Sequence, residues 1–283
     1  MNTSSQTFNF ARWWLLVSKH WSENRKRYLL FLLAIGGLEF GWFFFILLVS
    51  NLTLLDPFLQ FSAYYIGLFL VGCLYASTLF SELSSKREGT SYLALPASHL
   101  EKLLCALFFG VLLFFTAYTL VFYLVDIPMV HLSNSLLEKY PRNFPNTTVR
   151  VGPNIVYNIF TAQQGPIPEK EYHLFLFAFF AAQAVFILGS VYYTRYAFIK
   201  SIIAALVCFA IYVVFESKVI RLLLPPGWHS DFFSWTHYDP NDHPDKLIYL
   251  PKFLESSLLF SIKVLPPVIL WAITYFRLKE KEI

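Results

Sequence analysis

Charged side chains are scarce in this chain, and their scarcity limits the kind of protein it can be. Asp, Glu, Lys and Arg make up 14% of the residues, whereas 57% are hydrophobic and 19% are aromatic. A soluble globular domain carries about a quarter charged residues, so this composition is typical of a protein embedded in lipid. The cysteines Cys73, Cys105 and Cys208 all lie within apolar runs. We therefore expect them to pack as small apolar residues and to form no disulfide framework.

Recognisable catalytic motifs are also missing. The chain has no G-x-x-x-x-G-K-[ST] phosphate loop, so it does not carry the nucleotide site of a P-loop nucleotidase. It has no G-x-S-x-G or H-E-x-x-H motif either, which removes the most easily recognised hydrolase and zinc-protease classes. Residues 1–27 lack a short apolar core followed by a cleavage site, so no cleaved secretory signal is expected. We predict that the chain has no catalytic residues of its own.

Long apolar runs are what the chain has in abundance. Each is long enough to cross a hydrocarbon core of about 30 Å as a helix. The runs are residues 28–50, 58–80, 103–125, 174–194, 196–215 and 256–276. They predict an all-α integral membrane protein with six transmembrane helices, forming a single domain over residues 1–283.

The distribution of lysine and arginine predicts how the chain is oriented. With the N-terminus in the cytoplasm, one side holds the basic residues of both termini and of residues 81–102. The basic residues on the other side lie in two long loops, which the positive-inside rule weights lightly. Both termini and residues 81–102 are therefore expected in the cytoplasm. This bias also accounts for the net charge of +4, so no nucleic-acid partner is needed to explain it.

A stripe of aromatic residues precedes the first predicted span. Its members recur at helical spacing and are Phe10, Trp13, Trp14, Val17 and Trp21. The pattern predicts an amphipathic helix within residues 1–27 that lies in the lipid headgroups, where tryptophan is favoured. The alternative is a helix packed against the transmembrane bundle.

Two long outer segments, residues 126–173 and 216–255, contain weaker structural signals. In the first, the β-rich stretches 147–151 and 155–160 flank a Gly-Pro-Asn turn, which predicts a small extracytoplasmic β-hairpin. In the second, the short apolar pieces 219–224 and 247–254 predict interfacial or re-entrant helices.

The second outer segment also contains residues that could bind a metal. It carries three histidines and several aspartates, and the histidines are His229, His237 and His243. Imidazole and carboxylate groups can bind zinc, but the spacing here matches no known ligand pattern. Because Pro, Asn and Asp are ordinary turn formers, we predict a solvated loop and no metal.

Glu39 and Lys263 are ionisable residues inside predicted spans, where charge is costly and usually has a partner. At the helical rise of 1.5 Å per residue, they lie about 16 Å and about 20 Å from the cytoplasmic side. The similar depths predict an intramembrane polar pair that lines or gates a polar path. The alternatives are a purely structural ion pair, or a Lys263 that reaches outward while Glu39 stays protonated.

Residues 81–102 form a polar stretch with structural signals of its own. Its charged residues are Glu82, Lys86, Arg87 and Glu88, and its apolar patch includes Tyr92 and Leu93. After Pro96, the Ser98 hydroxyl can cap the amide of Glu101 while the Glu101 carboxylate caps the amide of Ser98, which predicts a new helix start. We expect a folded element that faces a partner; the alternative is that its charges only solvate a loop.

Together these features resemble the ABC-2-type permeases, which are membrane subunits of bacterial ABC exporters. The architecture carries part of the resemblance. The local part is Leu95-Pro96-Ala97-Ser98 followed by Glu101-Lys102, which is similar to an L-P-x-S-x-x-E-K pattern of small bacterial permeases. Two features depart from the family, namely the long segment 126–173 and a last span that contains Lys263 and a double proline.

The resemblance implies that residues 81–102 hold a cytoplasmic coupling helix between spans two and three. A separate ATPase subunit would dock there and would bind ATP and Mg²⁺. The implied docking residues are Glu82, Lys86, Arg87, Glu88, Tyr92, Leu93, Pro96, Ser98 and Glu101. It also implies a second permease copy or a paralogue as dimer partner, contact with membrane lipid, and the inner membrane of a bacterium.

Two other functions remain open from the residues alone. A sensory or scaffolding membrane protein would use its long outer segments to bind a ligand or partner. An integral membrane enzyme acting on lipid would use the loop that contains the histidines, although no nucleophile and base are recognisable there.

Overall fold

The structure, a computed structural model, describes residues 8–49, 55–139, 153–160, 172–215, 228–231, 234–237, 246–249 and 252–281. Within these ranges the chain is mostly α-helical. The helices are α1 (Phe10–Val49), α2 (Pro57–Ala76), α3 (Lys86–Leu93), α4 (His99–Leu107), α5 (Phe114–Lys139), α6 (Tyr172–Tyr192), α7 (Ala197–Phe215) and α8 (Lys252–Glu280). A 3₁₀ turn, Ser81–Ser84, precedes α3, and a π-helical turn, Phe108–Leu113, joins α4 to α5.

Four helices in the described part of the chain are long and apolar enough to cross a membrane. They are Phe10–Val49, Pro57–Ala76, the continuous helix His99–Lys139, and Phe175–Tyr192 within α6. Ala197–Ile211, within α7, is a shorter apolar helix. The prediction of a helical membrane protein is thus confirmed.

The first helix corrects one predicted boundary. The separate interfacial helix of residues 1–27 and the first span are one uninterrupted helix, α1, of 40 residues. The stretch between the two predicted parts, Glu23 to Arg27, contains no glycine or proline, and four of its five residues are good helix formers, so nothing ends the helix there.

Some residues of the aromatic stripe of α1 pack against the bundle, and others are exposed. Val17 is buried, and the Trp13 ring meets the Phe108 ring edge to face at 5.8 Å. Phe10, Trp14 and Trp21 are exposed. The first turns of α1 therefore pack against the bundle along one line and leave aromatic side chains available to lipid.

A second boundary also changes. The outer segment predicted to start at Asp126 begins with helix, because α5 continues through Pro128 to Lys139. Asp126, Met129 and Ser133 are buried on one side of this extension. Burial of a continuous face extends the helix past a proline that would end an isolated one.

The core lies between α1, α2, α5 and α6, and aromatic rings dominate it. Tyr64, Tyr118, Phe122 and Phe179 are completely buried there. The Tyr118 hydroxyl donates to the Tyr64 carbonyl at 3.0 Å, in the place where α2 and α5 cross. Helix α8 packs on α6 and α4, and α7 packs on α6.

Residues 153–160 do not form the second strand of the predicted hairpin; the first strand, 147–151, lies outside the described residues. The segment is irregular, and side chains of α2 and α5 satisfy its backbone. Gln60 accepts from the Tyr157 amide at 2.7 Å and donates to the Ile155 carbonyl at 2.9 Å. The Tyr123 hydroxyl accepts from the Ile159 amide at 3.0 Å. With these groups already bonded, the segment needs no partner strand.

The second outer segment holds a small antiparallel sheet in the order β1-β2-β3, formed by Trp228–Asp231, Ser234–His237 and Lys246–Tyr249. The helix predicted over 247–254 is therefore wrong for its first residues, and the other predicted piece, 219–224, lies outside the described residues. The first residues of 247–254 pair with β2, where Leu247 lies opposite Thr236, and helix resumes only at Lys252.

Candidate functional site

Helix α3 is a short surface helix between two helices of membrane-crossing length. The 3₁₀ turn before it is anchored by the buried Leu83. Ser85 caps α3, because its hydroxyl accepts from the Glu88 amide at 3.3 Å. Arg87 and Glu88 are exposed on the first turn of α3, and Glu82 is exposed just before it. These charges are presented together at one end of the bundle.

Tyr92 anchors the other end of α3 to the bundle. Its ring meets Phe80 edge to face at 6.4 Å, and the Lys102 ammonium lies 5.4 Å from the ring centroid. Burial raises the pKa of the Tyr92 phenol, so it stays neutral. The half-buried Tyr92 ring thus holds α3 against the start of α4.

The predicted capping box is confirmed. The Ser98 hydroxyl accepts from the Glu101 amide at 3.1 Å, and Glu101 Oε2 accepts from the Ser98 amide at 2.8 Å. This pair begins α4 at the predicted residue.

The Glu101 carboxylate does more than the sequence indicated. Its Oε1 accepts from the Asn9 amide at 2.7 Å and from the Arg12 guanidinium at 3.0 Å. Glu101 is completely buried. The sequence did not indicate Asn9 or Arg12 as partners of Glu101, because both are distant along the chain. A buried carboxylate needs hydrogen bonds or a cation beside it, and these two residues supply them.

Seven of the nine predicted docking residues therefore separate into two groups. Glu82, Arg87, Glu88 and Pro96 are exposed. Tyr92, Ser98 and Glu101 make contacts within the chain, as described above. Lys86 and Leu93 are the first and last residues of α3.

Glu39 and Lys263 do not form an ion pair in the described part of the chain. Glu39 lies on α1, which packs on α4 and α5, whereas Lys263 lies on α8, which packs mainly on α6. The Tyr118 hydroxyl lies close to the Glu39 carboxylate, but neither Glu39 oxygen has a hydrogen bond of good geometry among the described residues. Similar depth was not enough to bring the two residues together, because the helices that carry them have different neighbours.

Glu39 instead lies near groups of α5. It lines an apolar groove of about 380 Å³ between α1 and α2, together with Tyr118. Asp126 lies within electrostatic range of Glu39. Asp126 is completely buried, and its carboxylate oxygens also lack hydrogen-bond partners among the described residues. The membrane region thus contains two neighbouring acids where the sequence predicted an acid and a base.

The π-helical turn marks another polar contact inside the bundle. The Gln183 side chain of α6 donates to the Gly110 carbonyl at 2.5 Å. Such turns widen the helix locally and are frequent at functional sites. This contact ties α6 to the helix that follows the capping box.

The histidines form no metal centre among the described residues. Groups of three or more potential ligands are absent from the described residues. In the sheet, His229 lies opposite Thr236 and His237 lies opposite Trp228, so the two histidines are not paired. His243 lies outside the described residues.

Comparisons with protein-family models, with curated proteins and with solved structures gave no match.

Proposed function

We propose that this chain is the membrane-spanning permease subunit of an ABC-2-type exporter. The observation that carries the proposal is helix α3, a capped surface helix with exposed charges between two membrane-length helices. An element of this kind suits docking of a separate subunit. ATP binding and hydrolysis, with Mg²⁺, would belong to that subunit.

The contacts of α3 suit the transmission of force. A push on α3 would reach α4 through the contact of Tyr92 with Lys102. It would reach α1 as well, because Glu101 bonds to Arg12. The continuous helix His99–Lys139 would carry the displacement through the membrane.

The remaining parts of the proposal concern topology and partners. Helices α7 and α8 would complete six spans, with both termini in the cytoplasm of a bacterium and α3 on the same side. A second copy of the chain or a paralogue would complete the transport path between two permease subunits. The apolar spans would suit a lipid-like or amphipathic cargo.

The test is co-purification of the full-length tagged chain from its native membrane in mild detergent. The wild-type chain is expected to retain an ATP-hydrolysing subunit, identified by mass spectrometry and ATPase assay. The variant Arg87→Glu with Glu88→Lys keeps the net charge but reverses the charge order on α3, and it should lose most of that subunit.

The matched control is Glu138→Lys with Lys139→Glu, which makes the same exchange at the far end of α5. It should retain the subunit. If the wild-type chain retains no ATPase while another ABC complex from the same membrane stays intact, the proposal is wrong. A partner retained equally by all three proteins would point to a scaffold that does not use α3.

A further inference from the structure

Two cavities share a wall near the start of the membrane part of α1. One has a volume of about 360 Å³ and lies between α1, the end of α2 and the 3₁₀ turn. The other is a groove of about 140 Å³ between α1, α2 and the helix that contains the π-helical turn. Tyr28, Phe31 and Tyr75 line both of them. A single ligand with two chemically different parts could therefore occupy both.

The larger cavity contains opposite charges. Arg27 and Glu82 both line it, together with Asn24 and Ser81. The ion pairs found among the described residues do not include one between Arg27 and Glu82. A ligand that carries both a negative and a positive group could therefore engage both side chains.

The surroundings of Glu82 are acidic. Although the Glu82 side chain is exposed, partial loss of solvent in the cavity raises the pKa of its carboxyl group. The nearby Glu23 and Glu88 carboxylates raise this pKa further, whereas Lys19 lowers it. An ammonium group beside Glu82 would relieve this excess of negative charge. Arg27, the last residue of a basic cluster in α1, suits a phosphate group because its guanidinium donates two parallel hydrogen bonds.

The smaller cavity is almost entirely apolar. Its walls come from α1, from the end of α2, from the π-helical turn and from the start of α5. The remaining lining residues are Trp21, Leu29, Leu32, Phe109, Leu113, Phe114 and Ala117. Leu32 lies five positions beyond Arg27 on α1, which corresponds to about 7.5 Å along the helix axis. Along α1 the charged cavity spans His20 to Phe31 and the groove spans Trp21 to Leu32, so the two lie side by side.

We propose that the two cavities hold one membrane phospholipid with a primary-amine headgroup. Its phosphate binds Arg27, its ammonium binds Glu82, and the first carbons of one acyl chain lie in the groove beside Leu32. A primary ammonium donates three hydrogen bonds, which a quaternary ammonium cannot do. This lipid would join α1 to the 3₁₀ turn that leads into α3. The inference does not depend on the transport function proposed above.

The test uses the full-length chain, purified in detergent, stripped of lipid and titrated in native mass spectrometry. The probes are dioleoyl phosphatidylethanolamine, phosphatidylcholine and phosphatidylglycerol, with free phosphoethanolamine as a headgroup without acyl chains. One phosphatidylethanolamine per chain is expected to bind about tenfold more tightly than either other lipid. Free phosphoethanolamine should bind far more weakly, since it leaves the groove empty.

Substitutions at Arg27 and Glu82 test the contributions of the two charges one at a time. Arg27→Gln should weaken all three lipids, because each carries a phosphate. Glu82→Gln should remove the preference for phosphatidylethanolamine over phosphatidylglycerol while phospholipid binding remains. Arg25→Gln and Glu138→Gln remove charges that line neither cavity and should bind as the wild type does.

Three results would overturn the proposal. The first is equal binding of all three lipids by the wild-type chain. The second is an unchanged lipid preference in Glu82→Gln. The third is free phosphoethanolamine binding as tightly as the whole lipid, which would show a headgroup site that does not use the groove. Arg27 and Glu82 are exposed, so their variants should fold, and an unchanged melting temperature in detergent checks this.

Discussion

Glu101 Oε1 lies 3.0 Å from Arg12 Nη2, and this contact joins the first turn of α4 to the first turn of α1 across 89 positions of the chain. Glu101 is completely buried, whereas the Arg12 side chain is 40% exposed. The same carboxylate accepts from two backbone amides, of Asn9 and Ser98. One side chain thus fixes the start of α1 relative to the helix that follows α3.

Glu101→Gln is expected to destabilise the chain by about 1–3 kcal/mol, because the amide nitrogen would face a backbone or guanidinium donor in a buried place. Arg12→Gln should cost less, about 1 kcal/mol at most, since its partly exposed side chain leaves the two backbone contacts of Glu101 in place. Reversible unfolding in mixed micelles measures both. Equal losses in the two variants would contradict the central position assigned to Glu101.

Ser98→Ala should cost about 1 kcal/mol of global stability, because it removes the hydroxyl that caps α4. Ser85→Ala removes the cap of α3 and is the matched control. It should mainly loosen α3, since this surface helix contributes little to the core. Amide hydrogen exchange distinguishes the two: Ser85→Ala should speed exchange in residues 86–93 while the unfolding free energy barely changes. A larger global loss for Ser85→Ala would count against this description.

Gly67→Ala is expected to lower stability by about 1–3 kcal/mol, because the added methyl group would overlap the Tyr118 hydroxyl. That hydroxyl donates to the Tyr64 carbonyl and cannot move without losing the bond. Adding Tyr118→Phe removes the overlapping oxygen, so the double variant should lose less than the sum of the two single variants.

Gly37→Ala is the control for this substitution. A methyl group at Gly37 has no neighbour within 4 Å, so it should leave the melting temperature unchanged or raise it. A loss as large as that of Gly67→Ala would show that the close contact with Tyr118 is not the cause.

Double-mutant cycles should show whether Asp126 or Lys263 interacts with Glu39. Glu39→Gln and Lys263→Met should have additive effects, within about 0.5 kcal/mol, because their helices do not bring them together. Glu39→Gln and Asp126→Asn should couple by about 0.5–3 kcal/mol, because neutralising one acid relieves the other. Unfolding free energies of the single and double variants provide the measurement. Coupling only in the cycle with Lys263 would restore the pairing predicted from depth.

Local signals in the sequence predicted the start of α4 and the helical character of the long apolar runs. The capping box is an example, because Ser98 and Glu101 are three positions apart and their geometry depends on one helical turn. Boundaries that depend on packing were predicted less well. The extension of α5 past Pro128 follows from a buried face, which periodicity does not delimit. The single helix α1 follows from the lack of any glycine or proline between Glu23 and Arg27.

The irregular outer segment, residues 153–160, likewise depends on packing and not on local sequence. Its β-rich composition indicated a strand at 155–160, but Gln60, 97 positions before Tyr157, already takes up that backbone amide. A side chain so distant in sequence gives no local signal. The competing interaction arises only once α2 and α5 have packed.

The sequence by itself determined that this chain has membrane helices, because apolar composition over a sufficient length dictates transfer into lipid. It also determined where α4 begins, because a capping box needs only neighbouring residues. The tertiary structure alone decided that Glu101 binds Arg12, that Glu39 has Asp126 and not Lys263 nearby, and that a charged cavity adjoins an apolar groove. These relationships depend on which helices pack together, and that choice reflects the shapes of whole helix faces and not the spacing of residues along the chain.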